Sequence, residues 1–154
     1  MAAKSNHPDS ICACIANECL AMRVRLLNRL VTGIYDTALR RHGLRAAQLG
    51  ILVAINQLGT ARSNDLERIL CLEKSTVSRN LDRMRRRGWI QVEAGEDARA
   101  RHVTLTPKGR TLLGAVKSAW DDAQRETAKL LGREGADILA KIADTARSKT
   151  SLSR

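Results

Sequence analysis

The residues with the most chemistry in this chain lie between Lys74 and Arg87. Val77, Leu81 and Met84 fall at i, i+4 and i+7, the inner face of a helix, and turn Ser75, Ser78, Arg79, Asp82 and Arg86 outward. Short hydroxyls at the start of the helix (Ser75, Thr76, Ser78) let it sink into a groove and hydrogen-bond base edges or phosphates, although Ser75 and Thr76 also suit helix capping. The guanidinium fork of Arg79 matches O6 and N7 of guanine. Arg83, Arg85, Arg86 and Arg87 meet phosphates or are simply solvated, and Lys74 is a further DNA contact from the same helix. The chemistry these residues suit is recognition of double-stranded DNA.

A second group follows closely. Asp97-Ala98-Arg99-Ala100-Arg101 is a polar tip between two β-patterned runs, Trp89 to Glu93 and His102 to Leu105. Val103 and Leu105 alternate with polar neighbours, as in a half-buried strand. Arg99 at such a tip suits a narrow, electronegative minor groove. Asp97 and Arg101 pair across the tip and hold Arg99 outward. A third group is Cys12, Cys14 and Cys19, near the start of the first helix. Thiol switching requires a depressed pKa and access. Metal binding lacks a paired CxxC framework, so inert thiols are the ordinary reading and no metal site or cofactor is expected.

Composition narrows the field. The 154 residues carry a formal net charge of +11, which favours a polyanionic partner. Residues 73 to 110 hold ten Lys/Arg against five Asp/Glu, so the charge is a patch. With two tryptophans, one tyrosine and no phenylalanine, the chain lacks the exposed aromatics of a base-stacking RNA reader. No HExxH, GxSxG, Walker A or GxGxxG motif is present, and His7, His42 and His102 sit in unrelated contexts, so no enzyme is expected. The N-terminus has no apolar h-region and no stretch is long enough to span a membrane, so the expected location is the cytoplasm.

These side chains need a scaffold. A heptad-like seam, Leu20-Val24-Leu27-Val31-Ile34-Ala38, predicts one helix over about Ser10 to Arg41, ended by His42-Gly43. The uncharged stretch Ala46 to Ala61 predicts a buried helix over about Arg45 to Leu58. A short helix to Leu70 follows, capped by Ser63 or Asn64, with Asn64 and Glu67 at capping-box spacing. Cys71-Leu72-Glu73 is the turn into the basic helix, and Gly88 stops that helix. Thr106-Pro107 marks another helix start, with proline at N1. That helix runs to about Leu131, and Gly132 and Gly135 separate it from a last helix over about Ala136 to Arg147. The order is four helices, a β-hairpin and two helices: mainly α with a small β-hairpin wing, a winged helix-turn-helix between N- and C-terminal helices.

The run Asp97-x-Arg99-x-x-x-Val103-x-Leu105-Thr106-x-x-Gly109 resembles the wing signature of the MarR family of bacterial transcription regulators. Ser75-Thr76-Val77-Ser78-Arg79, Leu81-Asp82-Arg83-Met84 and Gly88-Trp89-Ile90 are similar to that family's recognition helix and its exit. Two departures stand out. Glu73 replaces a frequent Ser or Asp cap, which puts a carboxylate towards phosphate, and Cys71 occupies a frequent glycine position. The resemblance implies a homodimer on a palindromic operator, usually a repressor. Residues 1–10 would be a disordered tail, 11–44 and 107–149 dimerisation helices, and 45–106 the DNA-binding lobe. It also implies a small-molecule effector, aromatic or anionic, in a cleft between lobes, for which Tyr35, His42, Arg45 and Trp120 are the candidates. A peroxide-type sensor using the N-terminal cysteines is one alternative. A basic protein that coats DNA without sequence choice is another, on which a groove-sized helix start would be wasted.

Overall fold

The computed structural model describes residues 8–94 and 101–152. Its centre is helix α3 (Ala46–Leu58), where Gln48, Leu49, Ile51, Leu52, Ala54 and Ile55 are all buried. A helix apolar on nearly every side needs neighbours on nearly every side. They are α2 (Leu20–Leu39), α4 (Ser63–Leu70), α5 (Lys74–Arg86), α6 (Pro107–Ala115) and the strands β1 (Ala61–Arg62) and β3 (Arg101–Leu105). Leu66 from α4, Val77, Leu81 and Met84 from α5, and Val103 and Leu105 from β3 complete the core. Each fully buried aliphatic side chain contributes about 1.5–3 kcal/mol.

The sheet is antiparallel with order β1-β3-β2, where β2 is Ile90–Ala94. The hairpin register pairs Ile90 with Leu105 and Ala94 with Arg101. The sequence reading misses β1, two residues pairing Ala61 with Val103 and Arg62 with His102, because so short a strand has no period to detect. This pairing holds the chain extended to Arg62, so α4 begins one residue beyond it. The helix start is therefore closed by Asp65, whose Oδ2 accepts from the Arg62 N–H at 3.2 Å, and not by Asn64 with Glu67.

Two predicted helices are divided. The first splits at Cys19, in extended conformation, into α1 (Pro8–Glu18) and α2. Cysteine is a weak helix former, but neither glycine nor proline marks the break. Helix α1 thus includes residues 8–10, which lie within the segment expected to be a tail. The second divides at Val116, whose near-zero ψ separates α6 from α7 (Lys117–Leu152). Within α7, Gly132 leaves helical geometry, which is the break its glycine predicts, whereas Gly135 does not have positive φ. The last helical turns extend past Arg147 to Leu152.

Helix ends set the angles between elements. The N–H of Leu72 reaches Glu67 O and that of Cys71 reaches Arg68 O, a double closure that requires left-handed backbone at Cys71. Cys71 is the one non-glycine residue with positive φ among the described residues. The exit of α5 uses the same closure with Gly88 in the left-handed position. The start of α6 is locked onto that exit by Thr106. Its Oγ1 accepts from Gly109 N at 3.1 Å and donates to Gly88 O at 2.6 Å, and its N–H donates to Trp89 O. Gly109 is needed because a Cβ there would lie 2.1 Å from Trp89 O.

Two substitutions should therefore shift stability in opposite directions. Cys71→Gly removes a left-handed penalty of about 1–2 kcal/mol and adds unfolded-chain freedom of about 0.5–1 kcal/mol, so urea unfolding should show a small net gain. Gly109→Ala forces Thr106 and Trp89 apart and should cost about 2 kcal/mol or more. An unfolding midpoint unchanged by Gly109→Ala would overturn this account of the α5–α6 junction.

Candidate nucleic-acid interface

Burial of Val77, Leu81 and Met84 leaves the opposite face of α5 to solvent. Lys74, Ser75, Ser78, Arg79, Asp82, Arg83, Arg85 and Arg86 are exposed, and Thr76 is half-buried. Arg79 lies back along the first turn: its Nε donates to Ser75 O at 3.0 Å and its Nη2 approaches Ser75 Oγ at 3.5 Å. These exposed bonds are weak, so swinging Arg79 outward costs little. Asn80 Nδ2 similarly donates to Thr76 O at 2.9 Å, which uses a half-buried amide within the helix.

The hairpin rises beside this helix. Lys74, Ser78, Arg85 and Arg101 line a cleft of about 560 Å³ between α5 and the wing strands, together with the carboxylates of Glu67, Asp82 and Glu93. Arg101 thus faces the helix-wing cleft. Asp97 and Arg99 lie outside the described residues. Sequence reasoning missed the grouping of Arg85 with Arg101, since only the closed hairpin brings positions so far apart together.

Arg87 departs from the phosphate role open to it. Its Nη1 donates to Gly43 O at 3.0 Å, and its guanidinium stands 5.1 Å from the centre of the Trp89 ring. Arg45 and His42 are also engaged at the bend between α2 and α3, a 3-10 turn over Arg40–His42 followed by Gly43. Arg45 pairs with Asp36 at 3.4 Å, and His42 Nε2 accepts from Arg41 Nε at 3.2 Å. Asp36 Oδ1 also accepts from Ala46 N at 2.8 Å, so a carboxylate from α2 caps α3.

Tyr35 and Trp120 do come together. They line a cavity of about 540 Å³ with Val31, Leu49, Val53 and Leu113, and with the more polar Thr32 and Lys117. Arg45 and His42 do not line it. The Lys117 ammonium lies 5.3 Å from the Trp120 ring and bonds Asp121 at 2.6 Å. Burial pushes the Tyr35 phenol above its ordinary value, and the nearby Thr127 hydroxyl brings it partway back. Thr127 Oγ1 is itself buried without a fully formed hydrogen bond, so desolvation decides the direction. Cys12 and Cys14 are exposed on α1 and Cys19 is partly covered at the α1–α2 break. No cluster of three or more metal-ligating side chains occurs among the described residues, and no described helix is long and apolar enough to cross a membrane.

A short helix, a tight turn, an exposed basic helix and a β-hairpin on a three-helix core define a winged helix-turn-helix. The model of the MarR family matches residues 42–100. The transcriptional regulator MosR of M. tuberculosis, solved in complex with DNA, is 31% identical; the match covers 88% of this chain and 98% of MosR with a TM-score of 0.73. The uncharacterized HTH-type transcriptional regulator YwoH of Bacillus subtilis is 29% identical over 90 residues, which are 58% of this chain and 66% of YwoH. BpsR of Bordetella bronchiseptica, whose DNA binding is regulated by 6-hydroxynicotinic acid, shares the fold at 22% identity and a TM-score of 0.72, with 84% and 94% of the two chains covered. The chain belongs to the MarR family: it is a DNA-binding transcription regulator, and its family is one of regulators and not of enzymes.

Tyr35 is the one tyrosine of the chain, so its ionisation can be followed directly. Its phenolate absorbance should rise above the ordinary pKa of about 10 in the folded protein and return to it on unfolding. A raised phenol pKa means that the folded state holds the proton longer. Its stabilising contribution is therefore full below pH of about 10 and is lost as pH rises through the folded value. Titration at the ordinary value in folded protein would contradict this burial.

Proposed function

We propose that this chain is a homodimeric, cytoplasmic repressor that binds a palindromic operator and is released by a planar aromatic, anionic effector. The observation that carries this reading is the exposed hydroxyl-and-arginine face of α5, on a scaffold with a second, apolar cavity where α2 and α7 meet α3. Lys74, Ser75, Thr76, Ser78, Arg79, Arg83 and Arg86 contact DNA from α5, and Arg99 enters the minor groove. Solution of MosR with DNA supports the first part. The regulation of BpsR by 6-hydroxynicotinic acid supports an effector of this class. Here Thr32, Tyr35 and Lys117 are the residues with polar groups in the cavity lining, with the Lys117 ammonium beside the Trp120 ring.

A second copy of the chain is supported by apolar surface that one copy leaves open. Leu20 is 73% exposed, Val24 66%, Ile138 49% and Ile142 59%, and all lie on α2 or the end of α7. Single exposed apolar residues are ordinary, but several on the two terminal helices support a second copy there.

A selection of bound duplexes from a random library should enrich a palindrome; enrichment of none would leave the non-specific coat as the reading. On the selected site Arg79→Ala should cost about 1–3 kcal/mol and relax base choice at one position in each half-site. Equal loss on all sequences would remove Arg79 from base recognition. Deleting residues 132–154 should give monomers with weak operator binding, and a truncated chain that sediments as a dimer would refute the assigned interface. Aromatic carboxylic acids that release DNA should quench Trp120, with the buried Trp89 as control; release without any response from Trp120 would misplace the effector.

A further inference from the structure

We infer that Arg87 is a positioning residue, which sets the angle of the recognition helix to the dimerisation helices and thereby the spacing of half-sites that the protein accepts. This rests on the dimeric, palindromic reading above.

Arg87 is the first residue past α5, and its side chain spans to a residue 44 positions earlier in the chain. Three features converge on that link. Gly43 O belongs to the C-terminal end of the α2 segment, where the helix dipole favours a cation. The guanidinium lies over the buried Trp89 ring, so the exposed Arg87 side chain rests on a fixed surface and its bond to Gly43 O does not stand alone. At Gly43, with φ +65°, a Cβ would lie 2.5 Å from Arg87 Nη1, so the bend leaves space where the guanidinium sits. The bend is also held from the other side. Arg41 Nη2 donates to Ser118 Oγ on α7 at 2.8 Å, and Asp36 caps α3 through Ala46 N. Arg87 thus ties the end of α5 to the bend that α2 and α7 share.

In a dimer, the direction of each α2 is fixed by the partner, so a tie from α5 to the end of α2 fixes the separation of the two recognition helices. One base pair of extra spacing moves a half-site by about 3.4 Å and turns it by about 35°. A rigid tie resists such a change, and a loose one accommodates it.

The test uses the palindrome that the wild-type protein selects, together with versions whose centre is one base pair shorter or longer. The wild type should lose about tenfold or more in affinity on either altered spacing, the scale of one mismatched contact. Arg87→Ala should lose less than about threefold on them, and should keep the base preference of each half-site and the slope of log affinity against log salt. Gly43→Ala retains every arginine and should reproduce the flattened spacing profile; because it strains the backbone, its unfolding midpoint is measured alongside. A uniform loss across spacings with a salt slope reduced by about one ion would make Arg87 a phosphate contact and overturn the inference. So would a spacing profile identical to wild type in Arg87→Ala. A wild type that enriches no palindrome defeats the operator reading and the inference together; one that enriches a palindrome but tolerates every spacing defeats the inference alone.

Discussion

Burial of α3 is the constraint from which the rest follows. A helix with no charge from Ala46 through Leu58 satisfies its own backbone but leaves apolar side chains in every direction. Each neighbour gives it one apolar face, and each is therefore forced to present its other face outward. For α5 the outcome is strict. Val77, Leu81 and Met84 enter the core, and the arginines between them have to stay in water, since an unpaired buried guanidinium costs several kcal/mol. The basic surface available to DNA is a consequence of what α3 requires.

Directions come from the helix ends. Left-handed residues at Gly43, Cys71 and Gly88 close the bend after α2, the turn between α4 and α5, and the exit of α5. Two of these positions hold glycine, and the third holds a cysteine in conformation that costs it about 1–2 kcal/mol. Thr106 then fastens α6 to the α5 exit through its hydroxyl and its N–H. The signature Leu105-Thr106-x-x-Gly109 is thus a packing rule, with Arg110 Nη1 on Leu105 O adding one more bond at 2.9 Å.

The terminal helices follow the opposite logic. Helix α2 packs on α7 near the bend, where Leu39, Val116, Ala119 and Ala123 are buried. Away from it the apolar residues of α1, α2 and α7 remain open. The cavity beside Tyr35 and Trp120 lies where these two regimes meet, next to the Asp36 cap on α3. Ala46 belongs to both, since it lines the cavity and its N–H donates to Asp36 at the bend.

Much was legible in the chain itself because its signals are local. An uncharged stretch placed α3, a cap signal placed α4 although the structure moves that cap, and apolar spacing placed α5. Alternation at Val103 and Leu105 placed the hairpin, and Thr106-Pro107 placed the start of α6. The outward face of α5 followed from three apolar residues, and charge clustering pointed to nucleic acid. The tertiary structure alone decided what depends on distant partners. Pairing with Val103 and His102 created β1 and moved the start of α4. Arg87 found Gly43 O and Arg45 found Asp36, each while staying exposed. Tyr35 and Trp120 met in one cavity while His42 and Arg45 stayed at the bend. Helix periodicity states which way a side chain points along its own element. It does not state what stands opposite, and hydrogen bonds and cavities are properties of both sides.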